Sequence, residues 1–233
     1  MANRRVLTVS GDSKTIKGEA FGYLTGIQYF APHTLSGHNM CHWAAECKGP
    51  CLYTSGRGAG FNIQNKRIAK TKRFVEKTAE YLADLDWSIK ALIRKAKREG
   101  LKPVARLDGT SDNRWDIIAP HLFDNDCQFY DYTKNPKKMQ DFLDGKLPSN
   151  YDITFSWSGS NLDECLDFLS QGGNVAIPMD PIPEVYKGFP VIIGDENDLR
   201  FMDHKGYWVA LTPKGRARKD KSGFVIWDAP LIS

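Results

Sequence analysis

The sequence predicts an α/β protein built as a partial TIM-like (β/α) barrel of parallel strands, and three observations carry that reading. Four short β-rich runs start 22 to 26 residues apart, helical segments lie between them, and each run ends in polar or small residues. The 233 residues are 41% hydrophobic and 26% charged, an ordinary balance for a globular chain able to bury one core. That composition excludes a collagen-like, disordered or disulfide-stapled chain. No Pro/Gly/Ser-rich or single-sign charged stretch divides the sequence. One domain over residues 1–233 is therefore expected, with an N-terminal extension over 1–20 and a C-terminal β extension over 181–233.

Residues 21–30 are rich in β-formers and end at Ala31-Pro32, which predicts the first strand. A loop holding three cysteines follows it. Between residues 62 and 99, Ile63, Ile68, Phe74, Leu82, Leu85, Ile89, Leu92 and Ala96 recur at helical spacing. They predict two amphipathic helices with a break near residues 84–86 and a stop at Gly100. The regular β runs then cover 102–107, 128–132, 152–156 and 174–178, with helices expected over 115–122, 136–143 and 162–170. In the C-terminal part, residues 191–198 read as a turn. Residues 207–211 and 223–227 read as strands of a closing β-hairpin, joined by the basic loop 214–221.

Cys41, Cys47 and Cys51 stand at Cys-x5-Cys-x3-Cys spacing directly after the first strand. Thiolates are soft ligands that suit iron–sulfur clusters and zinc, and Gly49-Pro50 lets the chain fold tightly. A [4Fe-4S] cluster held by three thiolates leaves one iron open. A structural zinc ion would need a fourth ligand, which His42, His38 or Cys127 would supply. Clustered cysteines in a polar loop differ from Cys127 and Cys165, which sit in apolar surroundings and read as core residues. Five cysteines in this arrangement fit a reducing compartment.

The polar residues at the strand ends are the other candidates, because β/α folds carry their chemistry there. Asp131, Lys134 and Asp180 are the candidate catalytic residues. Asp108, Gly109, Thr110, Asp112, Ser156 and Ser158 are candidate cofactor contacts, although Asp112 and residues 158–161 equally suit capping of the helices that follow. Gly56-Arg57-Gly58-Ala59-Gly60 offers backbone close approach before a helix, with Arg57 its anion-binding candidate, and suits a flexible loop as well.

The strand, three-cysteine loop and βα series resemble radical S-adenosylmethionine (SAM) enzymes, whose typical spacing is Cys-x3-Cys-x2-Cys. That resemblance implies SAM at the open iron, with residues 108–112 near its methionine amino group and Ser156 and Ser158 near its ribose. More specifically, residues 41–58, Lys70-Thr-Lys-Arg-Phe74, Arg106-Leu-Asp-Gly-Thr-Ser-Asp112, Phe129-Tyr-Asp-Tyr-Thr-Lys134 and Gly194-Asp-Glu-Asn-Asp-Leu-Arg200 resemble the phage- and plasmid-borne gene product 88-like family. This similarity spans most of the chain and implies a mobile-element origin in a bacterial host, without an activity.

The formal charge of +4 favours anionic ligands mildly. Lys66, Arg67, Lys70, Lys72, Arg73 and Lys77, then Arg94, Lys95, Lys97 and Arg98, make the helices over 62–99 basic, and loop 214–221 adds a third patch. These suit a nucleic-acid backbone or a solvated face. No run is long and apolar enough to span a membrane, the opening residues lack the apolar core of a signal peptide, and a cytoplasmic protein is expected. Hydrolase signatures such as G-x-S-x-G and H-E-x-x-H are missing. The leading expectation is a radical-SAM-like iron–sulfur enzyme using a reductant or partner protein. The alternatives are an iron–sulfur protein for electron transfer or sensing, and a nucleic-acid-binding protein with a structural zinc ion.

Overall fold

The computed structural model describes residues 4–11 and 13–229. In chain order it forms β1 (Thr8–Val9), α1 (Ser13–Glu19), β2 (Tyr23–Ile27), α2 (Phe61–Glu76), α3 (Thr78–Glu99), β3 (Lys102–Arg106), α4 (Trp115–Ile118), β4 (Gln128–Thr133) and α5 (Pro136–Leu143). β5 (Tyr151–Ser156), α6 (Leu162–Ser170), β6 (Val175–Pro178), β7 (Val185–Tyr186), β8 (Phe189–Ile193) and β9 (Trp208–Leu211) complete it. All four regular β runs are present, and the helices expected over 136–143 and 162–170 have the expected bounds.

Local chemistry accounts for these elements. Leu85, Ile89, Leu92 and Ala96 fall on one face of α3 and are buried against β2 and β3, each large side chain contributing about 1.5–3 kcal/mol. Gly100 ends α3 in the left-handed conformation, at φ 68°, and its N–H returns to the Ala96 and Lys97 carbonyls. Asn135 caps α5 by accepting from the Lys137 and Lys138 N–H groups, with Pro136 in the first turn.

The described strands form one sheet in the order β1-β2-β3-β4-β5-β6-β9-β8-β7. β2 through β6 are parallel neighbours in sequence order, and β9 and β8 continue the parallel set. Right-handed crossovers between consecutive parallel strands place their helices on one face, and α3, α5 and α6 pack there. The second face is covered by α1 and by the connection from β8 to β9. That connection sets Leu199 and Phe201 against Val104, Tyr130, Tyr132 and Tyr23.

Four expectations are corrected. The sheet does not close into a barrel among the described residues: β1, antiparallel to β2, is one edge, and β7, antiparallel to β8, is the other. The C-terminal hairpin over 207–211 and 223–227 does not form. β9 joins β6 in parallel, and near 223–227 only Ile226 makes a bridge, to Met179. The turn read at 191–198 begins only at Gly194, because Val191, Ile192 and Ile193 complete β8. The break between the long helices falls at Lys77, not at 84–86. Asp84 stays inside α3 because its carboxylate accepts from Arg73 and pairs with Arg4, so it is a buried ion-pair partner and not a helix breaker.

Candidate functional site

The thiol loop begins where β2 ends, and Gln28 fixes its start. The Gln28 N–H donates to the Arg106 carbonyl (2.9 Å), its amide donates to the Leu107 carbonyl (2.9 Å), and its Oε1 accepts from the Tyr81 hydroxyl (2.8 Å). Gly109 N–H donates back to the Gln28 carbonyl (2.9 Å), and a Cβ at position 109 would lie 2.6 Å from that oxygen. The loops after β2 and β3 can lie this close only with glycine there.

Asp112 extends the stitching to a third loop. Its N–H donates to the Met40 carbonyl (2.9 Å), while its carboxylate accepts from Thr133 Oγ1 (2.7 Å) and the Lys134 N–H (2.8 Å). Thr110 Oγ1 donates to the Phe30 carbonyl, and the Cys41 thiol lies 3.6 Å from the Thr110 carbonyl. The loops that follow β2, β3 and β4 thereby bring Cys41, Cys47, Cys51 and the Lys134 amine together at the C-terminal edge of the parallel strands.

Electrostatics distinguish the three sulfurs. The Cys47 and Cys51 side chains interact, and that interaction, with Lys134 adjacent, lowers the Cys47 pKa despite burial. The same interaction, with burial, pushes Cys51 above the ordinary thiol range. Burial raises Cys41 to about 12. Burial opposes the charge on Lys134, but Cys47, Asp112, Cys41 and Cys51 together raise its pKa, so it remains an ammonium facing sulfur. All five cysteines are free thiols, and Cys127 and Cys165 are buried core residues as expected.

The loop after β5 covers the thiol loop from the far side. Gly159, at φ 102°, lies under Glu46, whose Cβ would be 2.6 Å from a Cβ there. Trp157 Nε1 donates to the Phe224 carbonyl (2.9 Å). Ser156 and Ser158 are buried, and Asn161 holds the backbone around them, accepting from the Ser158 N–H (2.8 Å) and donating to the Ser156 carbonyl (3.2 Å).

The remaining candidates stand elsewhere. Asp108 and Asp131 belong to a buried network. Asp131 accepts from the Asp108 N–H (2.7 Å) and the Tyr151 hydroxyl (2.9 Å), and Asp108 accepts from Ser111 (2.6 Å) and Asn113 (2.6 Å), with Lys138 Nζ 3.6 Å away. Asp180 is exposed after β6, its N–H donating to the Ile226 carbonyl (2.9 Å). The Arg57 side chain lies outside what the structure describes. His33 packs edge-on to Tyr53, with burial and Lys48 lowering its pKa, and His42 Nδ1 lies 3.4 Å from Asn39 Nδ2. Among the described residues, no three His, Cys, Asp or Glu side chains are spaced to share one metal ion.

Several basic residues of α2 have internal tasks. Arg67 stacks over Tyr29 at 4.6 Å, Lys70 donates to the Val6 carbonyl (2.7 Å), and Arg73 pairs with Asp84. Among the described residues, no helix is long and apolar enough to cross a membrane. Sequence reasoning did not single out Gln28, Glu46 or Lys138 as contributors here. Their roles rest on contacts between loops distant in sequence, which no local spacing signals.

The fold and the site define an α/β protein with a loop-borne group of three thiols and one ammonium at the C-terminal edge of a largely parallel sheet. Residues 4–227 match the sequence model of the family described as Gene product 88, and the chain belongs to that family. Comparison with curated proteins found no match, and neither did comparison with solved structures, so the likeness to radical SAM enzymes gains no support from them.

Proposed function

We propose that Cys41, Cys47 and Cys51 hold a [4Fe-4S] cluster and that the protein is an iron–sulfur enzyme of the radical-SAM type. The observation that carries this reading is the convergence of the three thiols with Lys134 where the loops after β2, β3 and β4 meet. The donor set fits the group. Three soft sulfurs come from one loop, none is tied up in a disulfide, and a cluster offers each thiolate its own iron. Bound there, a three-thiolate cluster leaves one iron open to SAM and supplies the electron for its reductive cleavage.

The chain's own residues prepare that environment. Lys134 offsets the negative charge that three thiolates would gather, and Asp112 positions Lys134 by holding its amide. Glu46 packs closely against the loop at Gly159 on one side. Asp112, Gly109 and Thr110 are committed to joining loops, which leaves the rim near Ser156 and Ser158 as the polar positions for a small cofactor.

The test is anaerobic purification with iron, sulfide and zinc counted per chain, and electron paramagnetic resonance after reduction with and without SAM. About four irons per chain, lost in the Cys41/Cys47/Cys51→Ala chain, with a spectrum altered by SAM, are expected. One zinc and no iron would overturn the proposal. Four irons with a spectrum indifferent to SAM would overturn its enzymatic half and leave an electron-transfer or sensing protein.

A further inference from the structure

The basic loop after β9 is built as a rigid wall against the thiol loop. A short 3-10 turn, Gly215–Lys219, buries Ala217. Asp220 then ties the segment's end by accepting from the Val225 N–H (3.0 Å) and the Ser222 hydroxyl (2.7 Å), while its carbonyl accepts from Trp227 Nε1 (3.0 Å). Gly215, at φ 57°, lies so close to Ser55 that a Cβ would meet it at 2.7 Å. Between this wall and residues 45–50 runs an open groove of about 540 Å³.

Lys48, Arg216, Lys219 and Lys221 line the groove, all exposed, and none has a salt-bridge or hydrogen-bond partner among the described residues. Against them stand only Glu46 and Asp220, and the Asp220 carboxylate is occupied by its own turn. Four unneutralised cations held on preformed backbone in one concave site cost little to organise around an anion. The thiol loop also carries an exposed ring: Trp43, two residues before the groove-lining Ala45, is 49% exposed.

We infer that this groove binds the phosphate backbone of a single-stranded nucleic acid, with Trp43 as a stacking surface for a base. The pattern is a cationic track with an exposed ring in the loop that forms one of its walls, which suits single strands because every base has a face to stack. It sets a phosphodiester ligand next to the thiol site and holds whether or not the thiols carry a metal. The basic face of α2 does not offer the same thing, since Arg67, Lys70 and Arg73 are spent on internal contacts, and on α3 Lys95 pairs with Glu99.

The test is fluorescence anisotropy of a labelled oligothymidylate of about fifteen nucleotides with the full chain across a salt series. Lys48→Ala/Arg216→Ala/Lys219→Ala/Lys221→Ala is expected to weaken binding about tenfold or more and to flatten the log–log salt slope by about three, near 0.7 for each lost contact. Lys66→Ala/Lys72→Ala/Lys97→Ala/Arg98→Ala removes the same charge from exposed positions on α2 and α3 and is expected to stay within about twofold. Trp43→Ala is expected to weaken binding with the salt slope unchanged. No binding at low salt, or equal losses in the two quadruple variants, would overturn the inference. So would full competition by a mononucleotide at equal phosphate concentration, which would make the groove a small-molecule site.

Discussion

Asp131 is a wholly buried carboxyl, and its surroundings set its proton. Burial, with Asp108 close by, pushes it up to about 7, although Lys138, Arg106 and the Asp108 N–H favour the charged form. In the unfolded chain the same group titrates near 3.9. The folded chain therefore binds this proton more tightly, so the stability it contributes is full below about pH 4 and is lost as the pH rises through 7. Unfolding free energy from denaturant titration is expected to be higher at pH 5 than at pH 8. Each tenfold difference in proton affinity accounts for about 1.4 kcal/mol, so a few kcal/mol at most are at stake. Asp131→Asn, neutral throughout and still able to accept from the Asp108 N–H, should remove much of that slope, and an unchanged slope would show that other carboxyls set it. This carboxyl serves the packing of the loop after β3 and stands apart from the thiols, although its place at a strand end reads the same in sequence as that of Lys134.

At the scale of elements, the site depends on how closely neighbouring loops approach. A methyl group at position 109 would press on the Gln28 carbonyl and on the Tyr29 ring, both 2.6 Å from the new carbon. Gly109→Ala is therefore expected to cost about 1–3 kcal/mol and, where the proposed cluster is bound, to lower iron retention by displacing the thiol loop. Gly49→Ala, where nothing lies within 4 Å and φ is −65°, should change neither, and the pair of melting curves with iron counts separates loop geometry from general loop sensitivity. The βα units were legible because each parallel strand is a short run of β-formers bounded by breakers, as in 102–106 and 151–156. β8 was misread because Val191-Ile-Ile193 runs straight into Gly-Asp-Glu-Asn-Asp, which masks the strand's end. The helix break was misread because two aspartates, Asp84 and Asp86, look like punctuation when only a tertiary partner shows that Asp84 is buried. The three thiols were legible as a group from spacing alone, whereas the closeness of Lys134 to them came only with the loop contacts through Asp112.

For the whole molecule, the open sheet raises the question of what covers its second face in place of barrel closure. The connection from β8 to β9 does this with a charged hub. Asp198 accepts from Arg106 Nη1 (2.9 Å), the Tyr130 hydroxyl (2.9 Å) and the Tyr132 hydroxyl (3.2 Å), and Arg106 lies 4.5 Å over the Tyr132 ring. Asp198 thus links β3 and β4 to a segment nearly seventy positions or more away in sequence, and Leu199 and Phe201 beside it bury the apolar part of that face. A buried ion pair of this kind is weak evidence for net stability, but breaking it from one side strands a charge. Asp198→Ala is expected to cost about 3–5 kcal/mol, because Arg106 stays buried without its anion and two tyrosine hydroxyls lose their acceptor. Adding Arg106→Met to Asp198→Ala should recover part of that loss, since the stranded charge is then gone. Equilibrium unfolding of the two single variants and the double variant measures the coupling. A double variant less stable than Asp198→Ala by the full cost of Arg106→Met would mean that the two side chains act independently. The second face would then be held by Leu199 and Phe201 alone.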